Sequence, residues 1–278
     1  MENINATGVF GMKTPKDALD IQNYIKTEGV GSAVVIGAGL IGMECAEAFA
    51  NWGLDVTIIE MQGSIFPQVL DAEMGAVFQN YLESEDLNFM LNTKVEKILV
   101  NEEGKVSGVQ TDKGNVEAQL VLVAVGVRPQ VQLAVDAGLK VDKAILINDH
   151  CQTSDPDIYA AGDCVMTRNL ISGQSVYAPM GSTANRQGRV IGTNITGGDA
   201  VHEGVLNTCV CKMFDWTLGA VGLSERVAKQ LGYDTVTAIV PGPDITHFMP
   251  GKKLIMTRLV GDRKTGKILG VQIVGPGK

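Results

Sequence analysis

Apolar positions along the chain follow two periods, and the switches between them mark out its elements. Ala33-Val34-Val35-Ile36 is an unbroken apolar run of strand length, the pattern of a strand buried on both faces. It leads into Gly37-Ala38-Gly39-Leu40-Ile41-Gly42, after which helical spacing takes over. Ile41, Cys45, Ala48, Phe49 and Trp52 recur at i, i+4, i+7, i+8 and i+11, predicting one apolar helix face. Gly53 can end that helix in the left-handed conformation. Residues 55–59 then predict a second strand, which finishes at the acid Glu60.

Similar signals organise the rest. Thr14-Pro15-Lys16-Asp17 reads as a helix entrance with Thr14 as N-cap and proline at the first position. Ala18, Ile21 and Ile25 supply its apolar side, and the helix ends near Glu28-Gly29. Asp71 is placed to cap a further helix, in which Met74, Val77, Phe78, Tyr81 and Leu82 keep helical spacing. Residues 87–91 predict a strand. Residues 95–100 and 105–110 flank Glu102-Glu103-Gly104 as a hairpin, and Asp112-Lys113-Gly114 starts another. A small antiparallel meander is therefore expected before the parallel sheet resumes at 120–125. Beyond the turn Gly126-Val127-Arg128-Pro129, residues 144–147 and 158–163 are strand-like. Residues 180–195 predict a helix carrying a small-residue stripe of Ala184, Gly188 and Gly192. Gly197-Gly198-Asp199 marks a boundary. Then come strands at 205–211, 218–221, 235–240, 254–259 and 268–274, a short helix at 224–231 and a hairpin turn at 261–266.

Composition narrows the function. The chain has 278 residues, so about two domains are expected. Its formal charge of −8 argues against nucleic acid and anionic membrane surfaces as partners. No secretory n-region and no membrane-length apolar run is present. Cys45, Cys151, Cys164, Cys209 and Cys211 form no disulfide framework, and Cys209-x-Cys211 lacks a second ligand pair, so no metal site is expected. These features fit a reducing cytoplasm.

The chemistry sits in the glycine run. In strand–Gly37-x-Gly39-x-x-Gly42–helix, the first glycine permits a tight turn, the second lets backbone approach a pyrophosphate, and the third lets helix and strand pack closely. The helix then directs its unpaired N–H groups and dipole at the anion. Glu60 follows Gly42 by 18 positions, the place from which a carboxylate reaches the adenine ribose hydroxyls. It would repel a 2′-phosphate, and Met61 and Gln62 carry no cation to offset this, so NAD(H) is favoured over NADP(H). The plainer reading is a strand–turn–helix with an incidental acid. A simple Rossmann dehydrogenase is a third reading, but His150, His202 and His247 lie outside any recognisable catalytic motif.

Four blocks in order, G-A-G-L-I-G-M-E at 37–44, A-V-G-V-R-P at 124–129, I-Y-A-A-G-D-C at 158–164 and A-P-M-G-S-T-A-N-R-Q-G-R at 178–189, resemble the pyridine nucleotide–disulfide oxidoreductase superfamily. Within it the last block is most similar to the coenzyme A disulfide reductase, NADH oxidase and NADH-dependent persulfide reductase branch. The resemblance implies an α/β chain: a leading segment and linker helix (1–31), a Rossmann-like NAD domain with the inserted meander (32–126), part of an FAD domain (127–200) and a truncated α+β dimerisation domain (201–278). It implies that Gly37, Gly39, Leu40, Ile41, Gly42 and Glu60 hold NAD, and that Glu44 lies near the nicotinamide and flavin. It places Gly126 at the crossover to the FAD domain, Gly162 and Asp163 at the flavin's ribityl chain, and Pro179 and Met180 at the helix start facing the isoalloxazine. It implies that Asn185 lies where the branch presents a side chain towards its thiol substrate. The family's first glycine motif for FAD, its redox cysteine and its C-terminal tyrosine-bearing helices have no counterpart here, so no catalytic residue is expected in this chain. The implied function is an NADH-dependent flavoprotein oxidoreductase, or a fragment of one, passing hydride to FAD and on to a disulfide, persulfide or oxygen, as a homo-oligomer. The alternative is an NAD-binding module with an orphaned FAD half-site.

Overall fold

A computed structural model describes residues 1–277. The chain opens with β1 (Val9–Phe10), α1 (Pro15–Glu28), β2 (Ser32–Ile36), α2 (Leu40–Asn51), β3 (Asp55–Ile59), α3 (Ala72–Glu83) and β4 (Leu87–Met90). The meander follows as β5 (Val95–Val100), β6 (Val106–Thr111) and β7 (Gly114–Glu117), and the chain returns through β8 (Leu120–Val123). β1, β8, β2, β3 and β4 form one sheet in that order, every neighbouring pair parallel. The leading residues thus join the parallel sheet, with Val9 and Phe10 beside Val121 and Leu122.

The unbroken apolar runs follow from burial on both faces. Ala33, Val35, Val56, Ile58, Leu120 and Leu122 face the helices, while Val34, Ile36, Ile59 and Val121 face Ile98, Val106 and Val109 of the meander. α1 starts as its sequence requires: Thr14 and Asp17 form a capping box, Pro15 opens the helix, and Gly29 ends it at φ 63°.

The segment after β8 is loosely built. It holds α4 (Gln132–Asp136), a single 3₁₀ turn at Gly162–Cys164, the hairpin of β9 (Met166–Arg168) and β10 (Ser175–Tyr177), and α5 (Gly181–Asn194). Residues 144–147 and 158–163, expected as strands, make only isolated bridges. Turn chemistry dominates between them: Asn148, Thr153 and Asp155 side chains take backbone N–H groups within two to four residues.

The remaining elements are β11 (Cys209–Met213), β12 (Trp216–Gly222), α6 (Glu225–Gln230), β13 (Thr235–Pro243), β14 (Leu254–Asp262) and β15 (Ile268–Pro276). The strands form an antiparallel sheet in the order β11-β12-β15-β14-β13. Its first strand begins at Cys209 rather than 205, because Val205 bridges Asn169 instead. Cys211, Met213, Leu218 and Val274 on its inner face share one core with Phe49 of α2 and Phe78 of α3. The two helices are therefore sandwiched between the sheets. No described helix is long and apolar enough to cross a membrane.

Candidate functional site: the glycine loop and the crevice beside it

β2 lies between β8 and β3, so the connections from its end and from β8 leave a crevice at the carboxyl edge of the sheet, the usual ligand position in such folds. The three glycines lining it are unlike one another. Gly37 has φ +107°, and a methyl there would meet the Ala124 carbonyl oxygen at 2.5 Å. A methyl on Gly42 would collide with the Gly37 carbonyl and force α2 off β2. Around Gly39 there is open space. Gly39 is also the N-cap of α2, where no side chain caps the helix and no acid occupies the first turn. The first-turn N–H groups, Leu40 and Ile41 among them, are left to an external acceptor, and the helix dipole favours an anion there.

Glu60 is 9% exposed and closes this turn. Its Oε2 accepts from the Ala38 N–H at 2.9 Å and its Oε1 from the Gln62 N–H at 2.8 Å. A carboxylate offers about four lone-pair sites, so acceptor capacity remains for sugar hydroxyls.

The apolar face expected on α2 is displaced. Ile41 and Trp52 are 37% and 47% exposed, and Ala48 is exposed too. The buried residues are Gly42, Met43, Cys45, Ala46 and Phe49, because the close approach of Gly42 to β2 fixes which side faces the sheet. Ile41 and Glu44 instead line a concavity with Met12, Lys13, Thr14 and Pro15 at the start of α1. Gly126, at φ +102° and exposed, follows the end of β8.

Thiols gather behind Glu44. Cys211 Sγ lies 3.7 Å from Glu44 Oε1. Burial, then the Glu44 charge, pushes Cys45 up to about 11 and Cys211 up to about 12. These thiols stay protonated at neutral pH and are poor nucleophiles.

The second predicted group gathers around the start of α5. The Gly162 N–H donates to Gln187 Oε1 at 2.8 Å, and Tyr177 Oη donates to the Asp163 carbonyl at 2.9 Å. Gly162 adopts φ +82° against Ala184. Asp163 and Asn185 are exposed, and Pro179 and Met180 lead into the helix. Met180 occupies the N-cap without a side-chain bond, and the first turn holds no acid. An uncapped N-terminus beside an exposed carboxylate fits the ribityl and ring side of a flavin. The small-residue stripe is not a packing seam: Gly188 and Gly192 are exposed with open space around them. The buried residues are Thr183, Gln187 and Val190.

Asp71 departs from expectation most. It stands at the N-cap of α3 yet makes no side-chain bond to that helix. Its carboxylate accepts from the Glu225 and Arg226 N–H groups at the start of α6 (2.9 and 3.3 Å) and from Gln272 Nε2 (2.8 Å), while its own N–H donates to Gln272 Oε1 (2.9 Å). Arg258, 2% exposed, is paired with Asp71, Glu73 and Glu225. Lys229 and Thr235, together with Arg258, hold the Glu225 carboxyl below its usual range against the opposing effect of burial. None of these partners was legible locally, because they lie about 150 to 200 positions from Asp71.

Known proteins share this chain's sequence pattern and fold. The model of the pyridine nucleotide-disulphide oxidoreductase family matches residues 2–188, and that of the family's dimerisation domain matches residues 208–278. An NAD(P)H coenzyme A polysulfide/persulfide reductase of Pyrococcus horikoshii is 37% identical over 99% of this chain and 62% of its own length. The solved NAD-dependent persulfide reductase of A. fulgidus superposes with a TM-score of 0.96 at 41% identity, covering all of this chain and 52% of that one. An engineered water-forming NADPH oxidase bound to NADPH superposes at 0.91 with 27% identity, covering 99% of this chain and 61% of that one. The chain thus spans roughly half to two thirds of the length of these three proteins. With both family models accounting for nearly its whole length, the chain belongs to the pyridine nucleotide-disulphide oxidoreductase family.

Proposed function

We propose that this chain binds NADH at the Gly37–Gly42 loop and serves a flavoprotein oxidoreductase that passes hydride to FAD and then to a disulfide, persulfide or oxygen. The observation that carries the reading is the buried Glu60 carboxylate, fixed by the Ala38 and Gln62 N–H groups beside the uncapped start of α2. The pyrophosphate rests on the N–H groups of Leu40 and Ile41, and Glu60 accepts from the adenine ribose. Gly126 and Glu44 border the nicotinamide side. Flavin, when bound, supplies two-electron acceptance from the nicotinamide and onward delivery. Gly162, Asp163 and the α5 terminus at Pro179 and Met180 hold and orient it, with Asn185 facing the acceptor.

Nucleotide choice follows from the same residues. The engineered NADPH oxidase differs from its parent at a glycine, an acid 18 positions later, the two residues after that acid and a proline 7 positions beyond the acid. Gly42, Glu60, Met61, Gln62 and Pro67 have that spacing here, and the retained acid selects NADH. The outer face of the C-terminal sheet supports self-association: Val210, Gly219, Ile273, Thr257 and Val240 align in one row across its five strands. Five free thiols fit a reducing cytoplasm.

A second reading, an NAD-binding module whose flavin half-site is orphaned, is favoured by the loose packing of residues 124–205 around a small core of Ala134, Ile145 and Val165. One experiment separates the two. The purified chain is titrated with FAD and then with NADH under anaerobic conditions while the visible spectrum is recorded. Bound flavin that bleaches supports the oxidoreductase; NADH binding without flavin supports the module. Glu60→Ala should weaken NADH binding at least tenfold, since it removes a charged acceptor worth about 1.5–3 kcal/mol. Unchanged affinity refutes the assignment of Glu60.

A further inference from the structure

Residues 60–71 cross from the nucleotide crevice to the C-terminal sheet and are fastened at both ends. At the crevice end, Glu60 takes the Ala38 and Gln62 N–H groups, and the Phe66 N–H donates to the Ala38 carbonyl at 2.8 Å. Ile65 and Phe66 are buried. At the far end Asp71 is held by Gln272 and by the start of α6. Between them, Arg226 Nη2 donates to the Pro67 carbonyl at 2.9 Å. Ala38 and Arg226 thus grip adjacent residues of one strap, Phe66 and Pro67.

We infer that Arg226, contributed by the C-terminal sheet domain, is a positioning residue for the dinucleotide site: by gripping Pro67 it sets the strap so that Glu60 and the Ala38 peptide meet the adenosine ribose in register. The inference rests on the NADH reading above. Independent support comes from the engineered NADPH oxidase, in which a proline at the spacing of Pro67 is one of the five substituted positions. That segment therefore bears on nucleotide recognition in a relative, and in this chain it is steered from a domain that has no glycine loop. Arg226 is itself exposed, so its replacement removes the grip without opening a core.

The test compares the full chain with Arg226→Ala and Arg226→Lys, using NADH and ADP-ribose as ligands in calorimetric titrations. Hydrogen–deuterium exchange is followed over peptides covering 37–42 and 60–71. Arg226→Ala is expected to weaken both ligands about three- to tenfold, the effect of one charged hydrogen bond to a carbonyl acting at one remove, and to speed exchange in both peptides. Arg226→Lys, which keeps a cationic donor, should recover most of the affinity. Wild-type affinity in Arg226→Ala, or faster exchange confined to α6, overturns the inference. Failure of the wild-type chain to bind either ligand overturns instead the NADH reading on which it rests.

Discussion

Asp71→Ala should be among the most damaging single substitutions in this chain, although it removes only three heavy atoms. Asp71 is 7% exposed, and its carboxylate takes three N–H donors and faces the Arg258 guanidinium at 3.3 Å. Truncation leaves Gln272, 2% exposed, with an unanswered amide and takes the acceptor from the Glu225 and Arg226 N–H groups in the first turn of α6. It also leaves the buried Arg258 leaning on Glu225 and the exposed Glu73. Removing one member of a buried ion pair costs about 3–5 kcal/mol. At roughly 2–4 °C per kcal/mol for a chain near this size, the thermal midpoint should fall by about 10 °C. Arg258→Met is the informative contrast. It fills similar volume and leaves Asp71 with its three N–H donors, so the loss should be smaller, about 1–3 kcal/mol. Scanning calorimetry of both variants and the double variant also yields the coupling between the two residues. The reasoning is refuted if Asp71→Ala melts within about 2 °C of the wild type, or if Arg258→Met is the worse of the two.

Two further outcomes follow from the buried ionisable groups. Burial, and secondarily Arg186, lowers His202 from its ordinary value of 6.5. The unfolded chain therefore takes up a proton before the folded one does, and this contribution is complete above about pH 6.5 and lost as pH falls towards the folded value. His202→Gln should flatten that part of the stability–pH curve measured by urea unfolding; an unchanged slope would count against a neutral buried imidazole. Cys45 and Cys151 are raised to about 11 and Cys211 to about 12. Iodoacetamide at pH 8 should label them far more slowly in the native protein than in urea, as read by peptide mass spectrometry.

The parallel-sheet half of this fold was legible because its signals are local. A continuous apolar run, three glycines and an acid at strand end lie within 28 residues and fix one another's geometry. The meander was legible for the same reason, each turn carrying its own glycine. Two kinds of feature were not. The face of α2 was misread because hydrophobicity alone ranks Ile41 and Trp52 above Gly42, whereas the approach of Gly42 to β2 decides which side is buried. Asp71 followed by a helical stripe reads as an N-cap, and only the assembled fold shows its carboxylate turned to α6 and β15. In the segment after β8, the strand patterns at 144–147 and 158–163 find only isolated bridging partners, and the residues between them are folded into turns by the Asn148 and Asp155 side chains.

The sandwiching of α2 and α3 between two sheets bears on how the chain can be divided. Tyr81 of α3 stacks on Trp216 of β12 at 4.6 Å, its hydroxyl takes the Asp215 N–H, and Glu47 of α2 takes the Phe214 N–H. Cutting near residue 200, where the sequence suggests a seam, would strip a greasy aromatic surface bare and leave those acceptors facing solvent. The two family segments share one core, so a graft or shuffle that divides them near residue 200 has to carry the antiparallel sheet along with α2 and α3 to keep that core closed.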